Sequence, residues 1–386
     1  MFALFTFLIV LGLLVFVHEL GHFLVARKSG MDVEEFGFGF PPRLVGFQRR
    51  DGRWHVVGAR AQWQEGDPTI YSINWLPLGG FVRIRGENGG EGASPRSFVG
   101  QPRWKRAMVL VAGVAMNLVL AVVLFTTVFA VGAPQMVDDL PASARVRDVQ
   151  TTVVSVLKAS AADAAGVLPG DAVQQINGVP LPDPDAVRAY IQEHLGQELA
   201  VTVVRDGATL VVTATPGPLP GTDRAGLGVE LVTTGIVSYP LHRAAWEGVR
   251  TTGFVVVEIA RALGRLVVGL FTEQAVTVDI AGPIGIAVLT GQVARLGITH
   301  LLQFAAVLSA NLAFINIFPF PALDGGRLLF LGIEAIRRRP LSRRVEGAIH
   351  AVGFAFLMGL VLVVTFRDIA TFGGGFLAAV RGAVGM

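Results

Sequence analysis

The chain has 386 residues, 52% hydrophobic and only 16% charged, with a formal net charge of +3 and a mean hydropathy of +0.58. Soluble domains carry about 25% charged residues, so this composition argues against a wholly soluble enzyme; it is also the opposite of a disordered chain, and its glycines and prolines lack the collagen period. Cysteine is absent, which excludes disulfides, thiolate metal sites and a thiol nucleophile, and leaves His, Asp and Glu to hold any metal.

Residues 1–30 read as a first membrane span. Phe2 to Val17 is uncharged, and apolar character resumes through Ala26 after a polar interruption. The run lacks a basic leader and a small-residue cleavage site, so it is expected to be retained as a span. Residues 31–106 form a loop. Within it, Ile73 to Arg85 has an apolar tip at Pro77 to Gly80 between strand-like arms, which suits a β-hairpin dipping into the membrane; an ordinary surface hairpin is the alternative. The glycine-aromatic run Phe36 to Pro42 gets no role beyond interfacial packing. A second span is expected over 107–133, interrupted only by Asn117 and a few hydroxyls.

The texture changes over 137–220. Leu199–Arg205 and Leu210–Thr213 flank Asp206-Gly207 and read as a hairpin, and Ala186 to His194 reads as a short helix. Over 241–273, Arg243, Glu247, Arg250, Glu258, Arg261 and Arg265 fall at helical spacings. This is an amphipathic helix that either lies in the interface plane or packs on the spans. A third membrane segment covers 298–336, with Asn311 and Asn316 in its uncharged part. Pro319 and Pro321 must break the helix there, directly before Asp324-Gly325-Gly326. A fourth span covers 345–370. Each apolar run approaches or exceeds the roughly 20 residues needed to cross ~30 Å of hydrocarbon.

Charge sets the orientation. Thirteen Lys/Arg lie between residues 27 and 106, and 337–344 reads RRRPLSRR, whereas 134–240 holds six Lys/Arg against twelve Asp/Glu. The positive-inside rule puts both basic loops in the cytoplasm and the two termini and the middle domain outside. The basic character thus reports topology, and no nucleic-acid partner is expected.

The polar interruption is His18-Glu19-Leu20-Gly21-His22. On a helix, His at i and i+4 project from one face, a spacing that lets two imidazoles grip one zinc ion, with Glu19 placed to take a proton from a metal-bound water. A carboxylate in lipid costs a few kcal/mol, so an idle solvated face is no explanation here; a polar contact between helices is the remaining structural one. Two imidazoles and a water leave zinc one protein ligand short, and Asp324 is the strongest candidate. His18 follows ~24 Å of helix entered from outside, and Asp324 comes late in a span running inward, so the two can meet at one depth.

These residues resemble the site-2 proteases, intramembrane zinc metalloproteases, and in particular the bacterial PDZ-bearing regulator-of-sigma-factor branch. The resemblance rests on HELGH in the first span, Asn316-Ile-Phe-Pro-Phe-Pro-Ala-Leu-Asp-Gly-Gly326 in a later one, and Ala164 to Val179 (AAGVLPGDAVQQINGV), similar to bacterial PDZ domains. Leu76 to Val82, Ala281-Gly-Pro-Ile284 and Asn311 agree with it. One departure stands out. The second span reads Gly113-Val-Ala-Met-Asn117 where the family usually has Gly-Pro, which puts a kink there in doubt.

The resemblance implies a polytopic α-helical membrane protein with about four transmembrane helices, a membrane-associated β-hairpin and one extracytoplasmic PDZ-like domain. It implies a bacterial inner-membrane location with the active site toward the cytoplasm. It makes His18, His22 and Asp324 the Zn2+ ligands and Glu19 the catalytic base. Asn316, Asn311 and the hairpin residues Gly79, Gly80 and Phe81 become substrate-binding. The expected activity is cleavage of the transmembrane segment of single-span proteins, an anti-sigma factor or remnant signal peptides, after a site-1-type protease has acted upstream. The competing classes are a non-catalytic membrane PDZ scaffold and a divalent-metal transporter. A scaffold has no need of Glu19 beside both His residues and Asp324, and a transporter needs polar residues on more spans.

Overall fold

The computed structural model describes residues 2–87, 94–137, 140–141, 143–205, 207–269, 281–339 and 341–384. The chain divides into two compact units, Met1–Phe125 with Trp246–Met386, and Thr126–Ala245.

The first unit opens with α1 (Phe2–Lys28), whose last turn carries Arg27 and Lys28, cations that complement the negative end of the helix dipole. Its inward face mixes the small or polar Thr6, Gly12, His18, Gly21, His22 and Ala26 with Val10, Leu14 and Phe23. Phe5, Ile9, Leu13 and Leu24 face outward. The outward apolar side chains suit lipid, which solvates them, and the small inward residues allow close backbone approach.

Strands β1 (Val33–Arg50), β2 (Arg53–Val57) and β3 (Ile70–Ile84) follow, in sheet order β2-β1-β3. Phe36 stands opposite both Val82 and Tyr71, Gly37 opposite Phe81 and Ser72, and Phe38 opposite Gly80 and Ile73. The start of β1 is therefore flanked by the two arms of β3, which doubles back around its apolar tip. This corrects the expected hairpin at Ile73 to Arg85: its arms do not pair with each other, because β1 inserts between them. The Phe36–Pro42 run supplies that inserted arm. Its glycines make the insertion feasible, since a Cβ on Gly37 would meet Ser72 and the Phe81 ring, and one on Gly39 would meet the Leu76 carbonyl oxygen at 2.6 Å. Buried Glu35 pairs with Arg43, with Oε1 accepting from Nε at 2.8 Å, which binds the halves of β1 together.

Helix α2 (Arg103–Val131) runs unbroken through Gly113, so the missing proline leaves no interruption.

The second unit is built on β4 (Ala133–Met136), β5 (Arg145–Val156), β6 (Ala172–Ile176), β7 (Val179–Pro180), β8 (Leu199–Arg205), β9 (Ala208–Ala214) and β12 (Val229–Ser238). These form one sheet, in order β4-β12-β5-β6-β8-β9 with β7 on β6. Short β10 (Gly217–Pro218) and β11 (Ala225–Gly226) pair separately. Helices α3 (Ala161–Ala164) and α4 (Pro184–Glu193) are started by Ser160 and Asp183, whose side chains accept from Asp163 N and Ala186 N, as N-caps should. Val153, Ile176, Val187, Ile191, Leu199, Val201 and Val203 form the core. The β8–β9 hairpin is as expected, with Arg205 opposite Ala208, though Asp206 of its turn lies outside the described residues. The sheet reaches past 137–220 on both sides, drawing in β4 and β12.

Helix α5 (Leu241–Gly269) carries the expected alternation of charge and apolar surface, with Trp246, Val249, Phe254 and Val257 exposed and Glu258 accepting from Arg261 at 2.5 Å. Residues 270–273 of the expected helix lie outside the described residues. Helix α6 (Pro283–Arg295) has no counterpart in the sequence reading, and its mixture of small and apolar residues shows no strong face. Then come α7 (Ile298–Ile317), α8 (Asp324–Arg337) and α9 (Arg343–Val384). The break between α7 and α8 falls where Pro319 and Pro321 require it. Among the described residues, four helices are long and apolar enough to cross a membrane, lying within α1, α2, α7 and α9.

Candidate metal centre

On α1, His18 and His22 are one turn apart and buried, their rings edge to face at 4.8 Å. Asp324 is the first residue of α8. The turn before it folds tightly: Phe318 is extended, Ala322 takes a positive φ of 77°, and Ala322 N donates to His350 Nδ1 of α9 at 2.8 Å. Gly325 and Gly326 lie against the carbonyls of Ile317, Phe318 and Phe320, so any side chain there would push Asp324 away.

The result is a triangle of ligand atoms. His18 Nε2 and His22 Nε2 are 3.2 Å apart, and Asp324 Oδ2 is 3.0 Å from the first and 3.2 Å from the second. Tetrahedral zinc with ligands at ~2.0–2.1 Å requires donors roughly 3.3 Å apart, so this triangle fits Zn2+ and its donor set matches the metal's preference for imidazole and carboxylate. Among the described residues this is the one group of three such side chains with ligand atoms this close.

Helix α2 holds the imidazoles from behind. His22 Nδ1 donates to the Val109 carbonyl at 2.8 Å, which leaves the Nε2 lone pair facing Asp324. The Asn117 carboxamide lies 3.2 Å from His18 Nδ1, and its Oδ1 is buried without a partner among the described residues. Turning that amide over gives Oδ1 the Nδ1–H as donor and frees His18 Nε2 in the same way. Gly113 sits between: a Cβ there would collide with His22 Nε2 and come within 2.8 Å of His18 Cε1. Ser309 of α7 donates to the Asn117 carbonyl at 2.8 Å.

Glu19 points to the sheet. Its Oε2 accepts from Val82 N at 3.1 Å, on the arm of β3 whose other edge pairs with β1. The tip of β3 lies against α1 several residues earlier, with Gly79 over Val15 and Gly80 over Phe16. A Cβ on Gly79 would stand 2.6 Å from Val15, and its φ of +110° already favours glycine. Phe81 packs over Gly37. Asn311 and Asn316 are half-buried on α7, and among the described residues neither side chain is hydrogen-bonded to the histidine–aspartate cluster. Sequence reasoning did not find the roles of Gly113, Val109 and Val82. Only Gly113 and Asn117 left a signal, a glycine and an amide four apart on one helix face.

The model of peptidase family M50 matches residues 6–360. A relative from Agrobacterium fabrum is 34% identical, with 95% of each chain covered. Zinc metalloprotease RasP of Geobacillus kaustophilus is 29% identical, covering 96% of this chain and 98% of that one. The Regulator of sigma-W protease RasP of Bacillus subtilis is 30% identical, covering 94% and 97%. Set beside the four apolar helices and a donor triangle of zinc dimensions, these likenesses have one reading: the chain belongs to peptidase family M50, the site-2 proteases, and is a zinc metalloendopeptidase of membranes.

Proposed function

We propose that His18, His22 and Asp324 hold the zinc, that Glu19 is the general base, and that the chain cleaves the transmembrane segment of single-span proteins on the cytoplasmic side of a bacterial inner membrane. The observation that carries this reading is the closure of the donor triangle between α1 and α8 with Glu19 adjoining it. Zinc, when bound, supplies a water of pKa ~7 and polarises the scissile carbonyl. Glu19 takes the proton of the attacking water and passes it to the leaving amine. The Val82 N–H keeps the carboxylate at the end of β3 that lies along α1.

A helical substrate hides its amides in its own hydrogen bonds, so it must unwind before hydrolysis, and the freed groups need partners inside the bilayer. The outer edge of Gly80–Ile84, apart from the Val82 N–H that Glu19 holds, would receive such a strand, with Gly79, Gly80 and Phe81 setting its approach and Asn316 and Asn311 meeting it from α7. Exposed Phe38, Phe40, Trp75 and Leu76 around the tips of the sheet suit immersion in lipid. The basic loops support a topology with both termini outside.

The Thr126–Ala245 unit is read as a PDZ-like domain that screens the external part of the substrate. Support comes from its Gly170-Asp171 turn, its β6–β7 hairpin through Asn177-Gly178 and the helix α4 that follows. An anti-sigma factor trimmed by an earlier protease, or a remnant signal peptide, fits such a filter.

The test is Glu19→Gln in protein reconstituted with a single-span substrate. The variant is expected to keep its zinc and lose cleavage by at least 10²-fold, and to retain substrates that mass spectrometry can name. Substantial residual cleavage overturns the assignment of the base.

A further inference from the structure

A cavity of about 330 Å³ opens where the end of α1 meets the sheet of the first unit, lined in part by Arg27, Met31, Arg49, Trp54, Tyr71 and Arg96. Its charge is unbalanced. Two acids also face it, but each is already paired: Asp32 with Arg96 at 2.6 Å, and Asp67 with Arg50 at 2.8 Å. Among the described residues Arg27 donates only to a neutral group, the Tyr71 hydroxyl at 3.0 Å, and its guanidinium lies over the Phe23 ring. Among the described residues the Arg49 side chain has no hydrogen-bonding or ion-pairing partner. Two guanidiniums therefore remain for an anion, beside two aromatic rings that stand edge to face at 5.8 Å.

Its depth is fixed by two independent features. Arg27 and Lys28 close the apolar run of α1, and basic residues at the end of a span sit in the headgroup layer. Helix α2 starts at the same level, because Lys105 Nζ donates to the Ser29 carbonyl at 2.9 Å. That start carries Arg103 and a well-exposed Trp104, the residue types that gather at a membrane–water interface. Next to the cavity, β2 turns Trp54 and Val56 outward, an apolar rim on which acyl chains can rest.

We propose that this cavity binds a phosphate anion through Arg27 and Arg49, supplied by the headgroup of an anionic phospholipid. Guanidiniums recognise phosphate oxygens by paired N–H donors, the cavity has room for a glycerophosphate, and Trp54 and Tyr71 cover the glycerol side. The site adjoins Met31 and Val33 at the junction of α1 with β1, so its occupant anchors the sheet against the helix that carries His18 and His22.

The experiment follows the thermal unfolding of the full chain in neutral detergent. Titrants are dioctanoyl phosphatidylglycerol, dioctanoyl phosphatidylcholine and inorganic phosphate. Saturable stabilisation by phosphatidylglycerol is expected, with half-saturation raised about tenfold by Arg49→Gln, the loss of one charged hydrogen bond, and further by Arg27→Gln with Arg49→Gln. The exposed pair Arg53→Gln with Arg60→Gln removes equal charge and is expected to leave the titration unchanged. Stabilisation by inorganic phosphate at the same concentration would keep the anion site and assign it to a soluble phosphate compound. Equal response to both lipids without one to phosphate, or equal titrations for Arg49→Gln and the control pair, overturns the proposal. Arg49→Gln alone decides the matter should the double variant misfold, since among the described residues its side chain has no partner to lose.

Discussion

The two units of this chain bury different mixtures of side chains. In the Thr126–Ala245 unit the interior is aliphatic, built from Val153, Ile176, Leu199, Val201 and Val203. In the helices of the other unit, the inward residues of α7 are Ala305, Ala306, Ser309, Ala310 and Ala313, and those of α1 include both histidines, while Val119 and Val123 of α2 and Leu13 of α1 face out. Water drives the first arrangement by expelling apolar surface. Lipid tails give no such drive between helices, so the second is held by close packing and by polar groups with nowhere else to bond. The donor triangle of His18, His22 and Asp324 lies in the second kind of interior because that is where polar side chains can be both buried and mutually satisfied.

The sharpest way to break the polar interior is to remove its link between α1 and α8. Asp324→Asn keeps size and hydrogen-bonding capacity but removes the anionic ligand. It is expected to lower bound zinc far below one per chain, measured by elemental analysis of purified protein, and to abolish proteolysis. Undiminished zinc would give the third ligand to another group.

A smaller effect is expected at Gly113. Gly113→Ala places a methyl against both imidazoles, and displacing metal-supporting geometry of this kind typically costs 10–100-fold in affinity. Chelator competition reads that loss. Hydrogen exchange of the Thr126–Ala245 unit is expected to stay unchanged, since sites in separate units with no shared partners act independently.

Legibility in the sequence follows the same division. HELGH was readable because i and i+4 share a helix face, and Asp324 because two prolines announce a break that lipid tolerates only beside protein or water. The partners supplied by α2, namely the Val109 carbonyl, the Asn117 amide and the space over Gly113, depend on how helices meet, which no local pattern encodes. The sheet of the first unit was half legible. Its apolar tip showed in Pro77 to Gly80, but the insertion of Phe36–Phe40 between its arms is a long-range pairing. In the other unit, alternation revealed the β8–β9 hairpin, whereas β12 was hidden beyond a stretch of turns at 217–228.

The aliphatic interior can be broken without touching the metal. Ile176 is fully buried in its core, and Ile176→Ala is expected to cost about 2–5 kcal/mol through lost transfer energy and a cavity, read by hydrogen exchange of the β5, β6 and β8 amides in the full chain. Leu13→Ala shortens an outward-facing side chain on α1, and since lipid refills the space it is expected to change stability by only about 0.5 kcal/mol. Equal effects at the two positions would contradict the contrast drawn between them.

The subtlest test concerns a buried ion pair of the aliphatic unit. Asp171 is buried, and Arg205 clamps it with Nε on Oδ1 and Nη2 on Oδ2, each at 2.7 Å, while Leu168 N donates to Oδ2 at 2.9 Å. The Arg205 hydrogen bonds, and then the Leu168 amide, hold its carboxyl below the ordinary aspartate range against the opposing effect of burial. A carboxyl whose folded-state pKa is depressed binds its proton more readily in the unfolded chain. Its stabilisation is therefore complete above the unfolded value of ~3.9 and drains away as pH falls through the folded one. As pH falls from about 5 to below 3, the unit is expected to lose protection progressively. Asp171→Asn, which keeps the shape but not the charge, is expected to remove about 1.5–3 kcal/mol at neutral pH, the range for hydrogen bonds to charged groups, and to flatten that acid limb. The measurement is pulsed hydrogen exchange of the β6 and β8 amides at stepped pH. An acid limb of the same depth in Asp171→Asn would transfer the pH dependence to other carboxylates.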